Sequence, residues 1–571
     1  MANPSATSLT LHPVIRELFR LKNMAKKDVE EFLSWDLLSI PELVQLKGLP
    51  EASTRIIAAI QRGEKIGIYG DYDVDGTTSC ALLFFFFKSI SVQVEIIQPN
   101  RFDDGYGLHS ELIDRALEYN IGLLITVDCG ITNTQAADHA REKKLDLIIT
   151  DHHQDIAESM PWATAIVNPN RRDETCHQHL KGLAGVGVAF ALALQIKNDW
   201  EKAFGKKCPP LYPLLQFVAV GTICDMAPLN TTNLRLARHG IKLLKNSEYP
   251  GLRVFITAEE RAWPMLPSEK LSFNIGPLIN AKGRLEDAAC ALKLLTADNP
   301  EDGRRLYQQL ENCNDDRKFI QSKIFKEAKE QIRREMINGE QNISIVYDPN
   351  WHEGVIGIVA SKLVEEFKVP AIVFANAKEE GLIKGSARSA GELNLLAELN
   401  KVSDLFTKYG GHRAAAGMTL PKDKFHQLYL RMNSSLSTIP RSLRTIADQY
   451  DLEIKASDVG PKLARDLELL EPFGVDNQRP VFKIRDIKLD SFEVMGEAHV
   501  RWNFSALDDP MVKLRGISFN YINKWANTAP SELFSLQNKR GASLEIYFNL
   551  GINRFKGNEY IQLQVRKIDL A

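Results

Sequence analysis

From Lys65 onward the chain alternates short apolar runs with stretches of helical periodicity. KIGIYG reads as a strand and TTSCALLFFFFKSI, just after it, as a helix; VQVEIIQP is the next strand and HSELIDRALEYN the next helix. GLLITVD, LDLIIT and ATAIVN repeat the strand signal, with TNTQAADHAREKK helical between the first two. Short strands that are apolar on both faces, separated by helices of about 10–15 residues, predict βαβ units and a buried parallel sheet. The run of four phenylalanines continues a helix with no turn signal beside it, so it is predicted to lie on a helix packed inside this domain.

Beyond about Asn233 the pattern turns helical and charged. The stretch from Pro300 to Met336 sets apolar residues at helical spacing among many charges, and it has no Pro or Gly after Gly303. It predicts a long solvated helix acting as an inter-domain spacer. A second α/β region starts near Ile343 with ISIVYDP, GIVASKLVEEF and AIVFAN. After Arg441 the chain becomes strand-like: PVFKIRDIKLDSFEVM, RWNFSAL, KLRGISFN, ASLEIYFNLGI and YIQLQVRKIDL predict a small C-terminal β-barrel of the oligonucleotide-binding (OB) type. The expected class is therefore α/β with an appended β domain. Its parts are a helical segment at 1–45, a parallel-sheet domain at 46–233, a helical connector at 234–340, a second α/β domain at 341–440 and an OB-like domain at 441–571.

Composition narrows the class without naming a partner. A chain of 571 residues exceeds what one core supports. Its 71 Lys and Arg against 73 Asp and Glu leave a net charge of −2, so any basic surface for nucleic acid must be local. The longest apolar run, Cys80 to Phe87, is far short of the roughly 18 residues that span a bilayer. The start, MANPSATSLTLHPV, has no basic stretch followed by an apolar one, so no secretory signal is expected. Seven scattered cysteines with no C-x-x-C fit buried thiols in a reducing cytoplasm. Cys176, His177 and His179 offer only three donors at a spacing unsuited to structural zinc, and no zinc is expected there.

Four segments carry the chemistry: GDYDVDGTTS with Asp71, Asp73 and Asp75; TVDCGI with Asp128; TDHHQ with Asp151, His152 and His153; and VGTICDMAPL with Asp225. The first three each follow a predicted parallel strand. In an open parallel sheet the carboxyl ends of the strands share one edge, where ligands bind. Asp73 and Asp75, two residues apart with Gly76 behind them, can face one pocket. So many carboxylates repel without a cation, and oxygen donors with one or two imidazoles suit Mn²⁺ or Mg²⁺. Two such ions can activate water and stabilise both oxygens of a phosphodiester displacement. Taken singly, an aspartate after a strand also serves as a helix N-cap, and Asp71 is open to that reading or to a supporting role.

DYDVDG, VDCG, DHH and CDMAPL, in that order, resemble motifs I to IV of the DHH phosphoesterase superfamily. Within it, GDYDVDGTTS together with RFDDGYGL, LAGVGVAF, VGTICDMAPL and GPLINAKGRLEDA resembles the RecJ family of single-strand-specific 5′→3′ exonucleases, over nearly the whole chain. The resemblance implies a metal-dependent exodeoxyribonuclease of DNA repair and recombination. It implies Asp73 and Asp128 around one ion, Asp75, Asp128, His152 and Asp225 around another, and His153 on the scissile phosphate. Small phosphoesterases of the superfamily begin motif I with a histidine where this chain has Tyr69; the first ion is then held more weakly, or with help from water or Asp71.

GGHRAAAG, at Gly410 to Gly417, resembles the signature of the companion DHHA1 domain, with His412 and Arg413 as donors and glycines that admit a phosphate to the backbone. GSARS gathers Ser386, Arg388 and Ser389 as phosphate donors. Arg101 and Tyr106 of RFDDGYGL and Arg284 of GRLEDA are family-like contact positions, the tyrosine suited to stacking on a base. His352 and Glu353 of HEGVIGIVASKL read as structural or domain-closing. From Met511 on, nine basic residues face four acids, with aromatics interleaved. The implied partners are single-stranded DNA and a helicase or single-strand-binding protein. Two rivals stand beside this reading. One is a small-molecule or dinucleotide phosphodiesterase, which needs neither spacer nor barrel. The other is an inactive DHH scaffold that binds DNA or a helicase, for which the acidic set has no need to be intact.

Overall fold

The computed structural model describes residues 10–37, 40–100, 107–156, 158–285, 289–336, 341–445, 449–496, 498–521 and 543–570. Five strands, β1 (Ile66–Gly70), β2 (Val94–Ile97), β3 (Leu123–Val127), β4 (Asp146–Thr150) and β5 (Ala165–Val167), pair in parallel in the order β2-β1-β3-β4-β5. β1 and β3 are buried along their whole length, as strands are when helices cover both sheet faces. The chain runs outward from β1 to β2 and then crosses back to β3. The carboxyl ends of β1 and β3 therefore flank the topological switch point, where open α/β sheets bind ligands.

The four-phenylalanine run lies on the Val74–Ser89 helix, and Phe86 and Phe87 are fully buried. This helix packs on the Gly185–Phe204 and Leu215–Cys224 helices. Leu215–Cys224 is apolar on every side, which only a helix enclosed all round tolerates. The buried pair of helices brings a fourth segment, ending in Asp225, to the same edge as the strand ends.

By compactness the chain divides into one unit of Met1–Glu311 with Tyr450–Ala571, and another of Asn312–Gln449. The charged stretch forms one helix, Pro300–Met336, which carries the chain from the first into the second. In the second unit β6 (Ser344–Tyr347), β7 (Ala371–Asn376), β8 (Leu382–Arg388), β9 (Lys408–Gly411) and β10 (Ala415–Pro421) form a sheet ordered β6-β7-β8-β10-β9. Only β6 and β7 are parallel, and the remaining pairs are antiparallel. The GGHRAAAG motif is thus the bend of the β9–β10 hairpin.

The C-terminal strands return to the first unit: β11 (Leu452–Glu453), β12 (Phe482–Met495), β13 (His499–Ala506), β14 (Lys513–Ser518), β15 (Leu544–Phe555) and β16 (Asn558–Leu570). Their pairings run β12–β13–β14–β16–β15 and back to β12. The β14–β16 seam rests on two residue pairs, so the sheet is a ring with a short seam and not a clear barrel. Phe482, Trp502, Phe504 and Phe548 fill it, and Val14, Ile15, Leu18 and Phe19 of the N-terminal Pro13–Leu21 helix join the same core. No helix among the described residues is long and apolar enough to cross a membrane.

The C-terminal part is fastened to the rest of its unit by buried charge. Arg238, fully buried on the Thr231–Leu244 helix, donates to the carbonyls of Glu471 (2.8 Å), Leu469 (3.2 Å), Phe32 and Ser34. Burial pulls its pKa down to about 9. Close by, Arg479 reaches Glu269 (2.8 Å) and Glu471 (2.6 Å), and Glu471 also accepts from the Ser268 hydroxyl. Arg238→Lys keeps a charge but replaces the planar fork with one compact ammonium. At least one buried carbonyl then loses its donor, at about 1–3 kcal/mol each. In a unit of this size that loss is expected to lower the melting midpoint by about 1–3 °C when followed by circular dichroism. An unchanged midpoint would show that the arginine does not hold these segments together.

Candidate metal centre

Each acidic side chain reaches the sheet edge by a different device. Asp73 caps the Val74–Ser89 helix, its Oδ1 accepting from Gly76 N at 3.0 Å. Asp75, in the first turn of that helix, accepts from Gly185 N (2.6 Å) and Val186 N (2.9 Å), the first amides of the Gly185–Phe204 helix. A helix N-terminus presents such amides and a partial positive charge, which steadies a carboxylate. Asp128 follows β3 in the left-handed conformation, φ 60°, a region aspartate tolerates better than most residues. Asp225 ends the Leu215–Cys224 helix.

Two glycines make room. A Cβ on Gly185 would lie 2.7 Å from the Asp128 Cβ, and one on Gly221 would lie 2.8 Å from Asp75 Oδ1. Any side chain at either position would displace a carboxylate.

His152 and His153 divide the work between them. His152 Nε2 lies 3.1 Å from Asp128 Oδ1, 3.7 Å from Asp75 Oδ2 and 3.8 Å from Asp225 Oδ2. His152 Nε2 and Asp128 Oδ1 are both buried, and neither has a hydrogen-bond partner among the described residues. His153 is the more open of the two, its side chain 43% exposed against 17%. Its Nδ1 is 2.7 Å from Asp151 Oδ1, and Asp151 also accepts from the backbone of Ile131, His152 and His153. Asn168 and Asn170, just after β5, donate to the carbonyls of His153 and His152.

Three groups of donor atoms are each compact enough to hold one ion: Asp75, His152 and Asp225; Asp71, Asp73 and Asp128; and Asp128, His152 and His153. Asp128 stands in two of them. The electrostatics describe a cation-seeking cavity. Burial, with the charge of Asp73, pushes Asp75 up to about 7 despite its amide donors. Burial, with Asp75 and Asp73, pushes Asp225 up to about 9, and Asp128 is driven well above the carboxylate range by burial and its four aspartate neighbours. Burial and His153 lower His152 to about 4, keeping it neutral as a ligand must be. Burial works against a charge on His153 too, yet Asp151 carries it up to about 9. Hard oxygen donors around a neutral imidazole fit a divalent Mn²⁺ or Mg²⁺.

The sequence motifs named Asp73, Asp75, Asp128, His152, His153 and Asp225, and all six come together here. Asp71, left open between cap and support, stands in one donor group, while Asp73 is the helix cap. The brace on the histidines was missed. Its signal was the N-P-N after ATAIV and the Asp preceding the tandem histidines. Tyr69, in place of a histidine, is fully buried and donates to the Gly107 carbonyl at 2.7 Å.

Arg284 lies in the last turn of the Gly276–Leu285 helix. Arg101 and Tyr106 fall outside the described residues, as do Lys524, Trp525, Phe534, Lys539 and Arg540. In the second unit, Arg388 donates to Ser386 Oγ at 3.1 Å, and Ser386, Gly417 and Gly410 stand in one cross-strand row of β8, β10 and β9. Ser389 donates through Oγ to the Leu393 carbonyl; Arg413, exposed, reaches the Glu392 carbonyl; and His412 accepts from Ala414 N. Glu353 pairs with Lys384 at 2.7 Å, and His352 accepts from Gly354 N. Part of the C-terminal basic surplus is structural: Arg554 is engaged by Glu468 and Glu559, and Arg566 by Asn549.

Three family models match the chain: the DHH family N-terminal domain at residues 65–222, the DHHA1 domain at 340–438 and the RecJ OB domain at 450–567. The single-stranded-DNA-specific exonuclease RecJ of Escherichia coli (strain K12) is 31% identical over 579 aligned positions, covering 98% of this chain and 96% of that one. The RecJ of Bacillus subtilis (strain 168) is 32% identical over 91% of this chain, which spans 63% of the Bacillus protein. Among solved structures, RecJ from Thermus thermophilus in complex with Mn²⁺ superposes with a TM-score of 0.77 at 26% identity, over 99% of this chain and 77% of that one. A second, exonuclease RecJ bound to manganese, gives 0.59 at 31% identity over 70% of this chain and 97% of that one. With likeness running end to end and the four motifs gathered at one sheet edge, the chain belongs to the RecJ family of DHH phosphoesterases.

Proposed function

We propose that this chain is a metal-dependent exonuclease that removes nucleotides from single-stranded DNA, in the 5′→3′ direction, during DNA repair and recombination in the cytoplasm. The observation that carries the reading is the buried convergence of Asp75, Asp128, His152 and Asp225, with Asp71 and Asp73 beside them. Asp75, Asp128, His152 and Asp225 would hold one Mn²⁺ or Mg²⁺, and Asp73 and Asp128, with Asp71, a second. When bound, such ions supply the Lewis acidity that phosphodiester hydrolysis needs. His153, turned by Asp151 and kept charged, donates to the scissile phosphate.

Arg284 in the first unit, and Ser386, Arg388, Ser389, His412 and Arg413 in the second, provide donors for the sugar–phosphate backbone. Arg101 and Tyr106 belong to the same set by their motif. The C-terminal part adds a groove of about 400 Å³ lined by Arg465, Lys513, Arg515 and the half-exposed Tyr560. Basic groups beside an exposed ring suit a single strand. A helicase or a single-strand-binding protein would deliver or cover that strand.

The deciding experiment incubates the protein with end-labelled single- and double-stranded DNA in Mn²⁺, Mg²⁺ or chelator. Metal-dependent loss of the single strand alone is expected. Faster turnover of a dinucleotide would favour a small-molecule phosphodiesterase, and binding with no hydrolysis would favour a scaffold. In the same assay Asp128→Ala is expected to leave less than about a hundredth of wild-type activity with its fold intact, because that carboxylate serves both donor groups. Activity above about a tenth would take Asp128 out of the shared position.

Metal entry should also be visible as acid. At pH 7 the carboxyl at about 7 is about half protonated and the one at about 9 almost wholly so, and Asp128 is raised as well; all must ionise to hold a cation. Adding Mn²⁺ to weakly buffered protein at pH 7 should therefore release protons, and the release should shrink as the pH is raised through about 9, where the Asp225 carboxyl ionises without metal. Equal release at the two pH values would contradict the assignment. Finally, replacing Lys513 and Arg515 together with Ala should weaken binding of a long single strand to metal-free protein. It should flatten the slope of log affinity against log salt by roughly 0.7 per lost contact. An unchanged slope would show that the groove does not grip DNA.

A further inference from the structure

The turn that carries Asp71 and Asp73 is held from a strand that supplies none of the candidate ligands. β2 is an edge strand of the first sheet, and its register sets Ile97 beside Tyr69, so Gln98 stands level with the last residue of β1. The Gln98 side-chain nitrogen donates to two acceptors, the Asp71 carbonyl at 2.9 Å and the Thr77 hydroxyl oxygen at 3.0 Å. Only the NH₂ end of an amide can face a carbonyl, so these contacts fix which way the group is turned. They also span the motif. Asp71 is the first residue after β1, and Thr77 lies in the first turn of the Val74–Ser89 helix. Gly76 lets that turn press on the same peptide: a Cβ there would lie 2.5 Å from the Asp71 carbonyl oxygen. The other end of the amide, Gln98 Oε1, is buried and accepts no hydrogen bond among the described residues. An acceptor left so costs about 1–3 kcal/mol. A methionine would fill the same space without that cost, which points to a task for Gln98 other than packing.

Resting on the reading of the acidic cluster as a two-ion centre, we propose that Gln98 is a positioning residue for the ion of the Asp71, Asp73 and Asp128 group. It ties the Asp71 peptide to the start of the helix that Asp73 caps, so that carboxylates which repel one another keep the spacing one cation needs. It acts through Asp71 and not on the strand being cleaved. The other group is fastened differently, because Asp75 takes its direction from the amides of Gly185 and Val186. Loss of Gln98 therefore weakens one ion and spares the other. Outer hydrogen bonds of metal sites are typically worth 10- to 100-fold in affinity. Gln98 reaches its carboxylate through the main chain, which sets the expected effect at about tenfold.

The test measures Mn²⁺ uptake by the full chain, from the paramagnetic resonance of the free ion, for wild type, Gln98→Met, Thr77→Val and the double variant. Digestion of single strands is followed across the same Mn²⁺ range. Wild type should take up two ions. Gln98→Met should bind one of them about tenfold more weakly and the other unchanged. Its turnover should fall at limiting Mn²⁺ and return in excess, with KM for the strand unmoved. Thr77→Val removes the second anchor of the same bridge, so the double variant should bind Mn²⁺ no more weakly than Gln98→Met. Metal-free melting midpoints of wild type and Gln98→Met should agree within about 2 °C, since the lost hydrogen bonds and the removed orphan oxygen offset each other. Mn²⁺ binding by Gln98→Met that matches wild type, whether or not its midpoint falls, overturns the role, and so does equal weakening of both ions. A wild type that takes up no more than one ion fails earlier, and removes the two-ion reading on which the role rests.

Discussion

Five aspartates converge at one edge of a parallel sheet, and Asp75, Asp128 and Asp71 are almost wholly buried there. Two unit charges about 4 Å apart still repel by about 4 kcal/mol at the effective dielectric of a partly wet protein site. Nothing in hydrophobic packing repays that cost. Protonation is one relief, and burial and mutual repulsion drive Asp75, Asp128 and Asp225 upward together. A divalent cation removes the repulsion directly, and much of the surrounding structure exists to keep room for one. The enclosed apolar helices, the glycines against the carboxylates and the left-handed Asp128 all follow from holding like charges close without letting them separate.

The same molecule uses buried charge in the opposite way where its C-terminal strands meet the rest of the first unit. Arg238 binds main-chain carbonyls, while Arg479 lies between Glu269 and Glu471. These contacts tie together residues more than two hundred positions apart in sequence. The C-terminal part and the N-terminal Pro13–Leu21 helix share one apolar core as well. A region that reads along the sequence as a separable module is therefore continuous with the body that carries the metal centre.

Much of this was legible from residue order. The alternation of doubly apolar strands with helices pointed to the parallel sheet, and three of the four motifs sit at strand ends, where topology alone brings distant residues together. Asp225 was harder. It ends a helix, and its arrival depends on two helices packed against a third, which no local pattern encodes. Asp71 and Asp73 could not be sorted from spacing, since a cap and a ligand are both aspartates after a strand. The C-terminal strands were expected to form a small barrel, and the two-pair β14–β16 seam that leaves it short of a clear one depends on pairing between segments distant in sequence.

Two carboxylates outside the metal centre, Glu471 and Asp155, differ from those within it in the charge of the donors around them. Glu471 and Asp155 are held by arginines, in contacts of 2.6 and 2.7 Å. A guanidinium brings a full positive charge, so such a carboxylate has little left to offer a metal. Asp75 and Asp73 are instead fixed by backbone amides at the starts of helices, and Asp151 by three amides together with His153. Amides fix direction while supplying only partial charge. A carboxylate held this way is aimed as firmly as one in a salt bridge, yet no full opposite charge neutralises it, so its charge is left for a cation. That is the condition a cation site requires, and it fits the use of helix N-terminal amides, and not arginines, to hold Asp73 and Asp75. Asp151 is the instructive intermediate. Its amides fix its position, and its charge is turned onto His153, so that one carboxylate of the group converts a neighbouring imidazole into a donor for phosphate while the others remain open to metal.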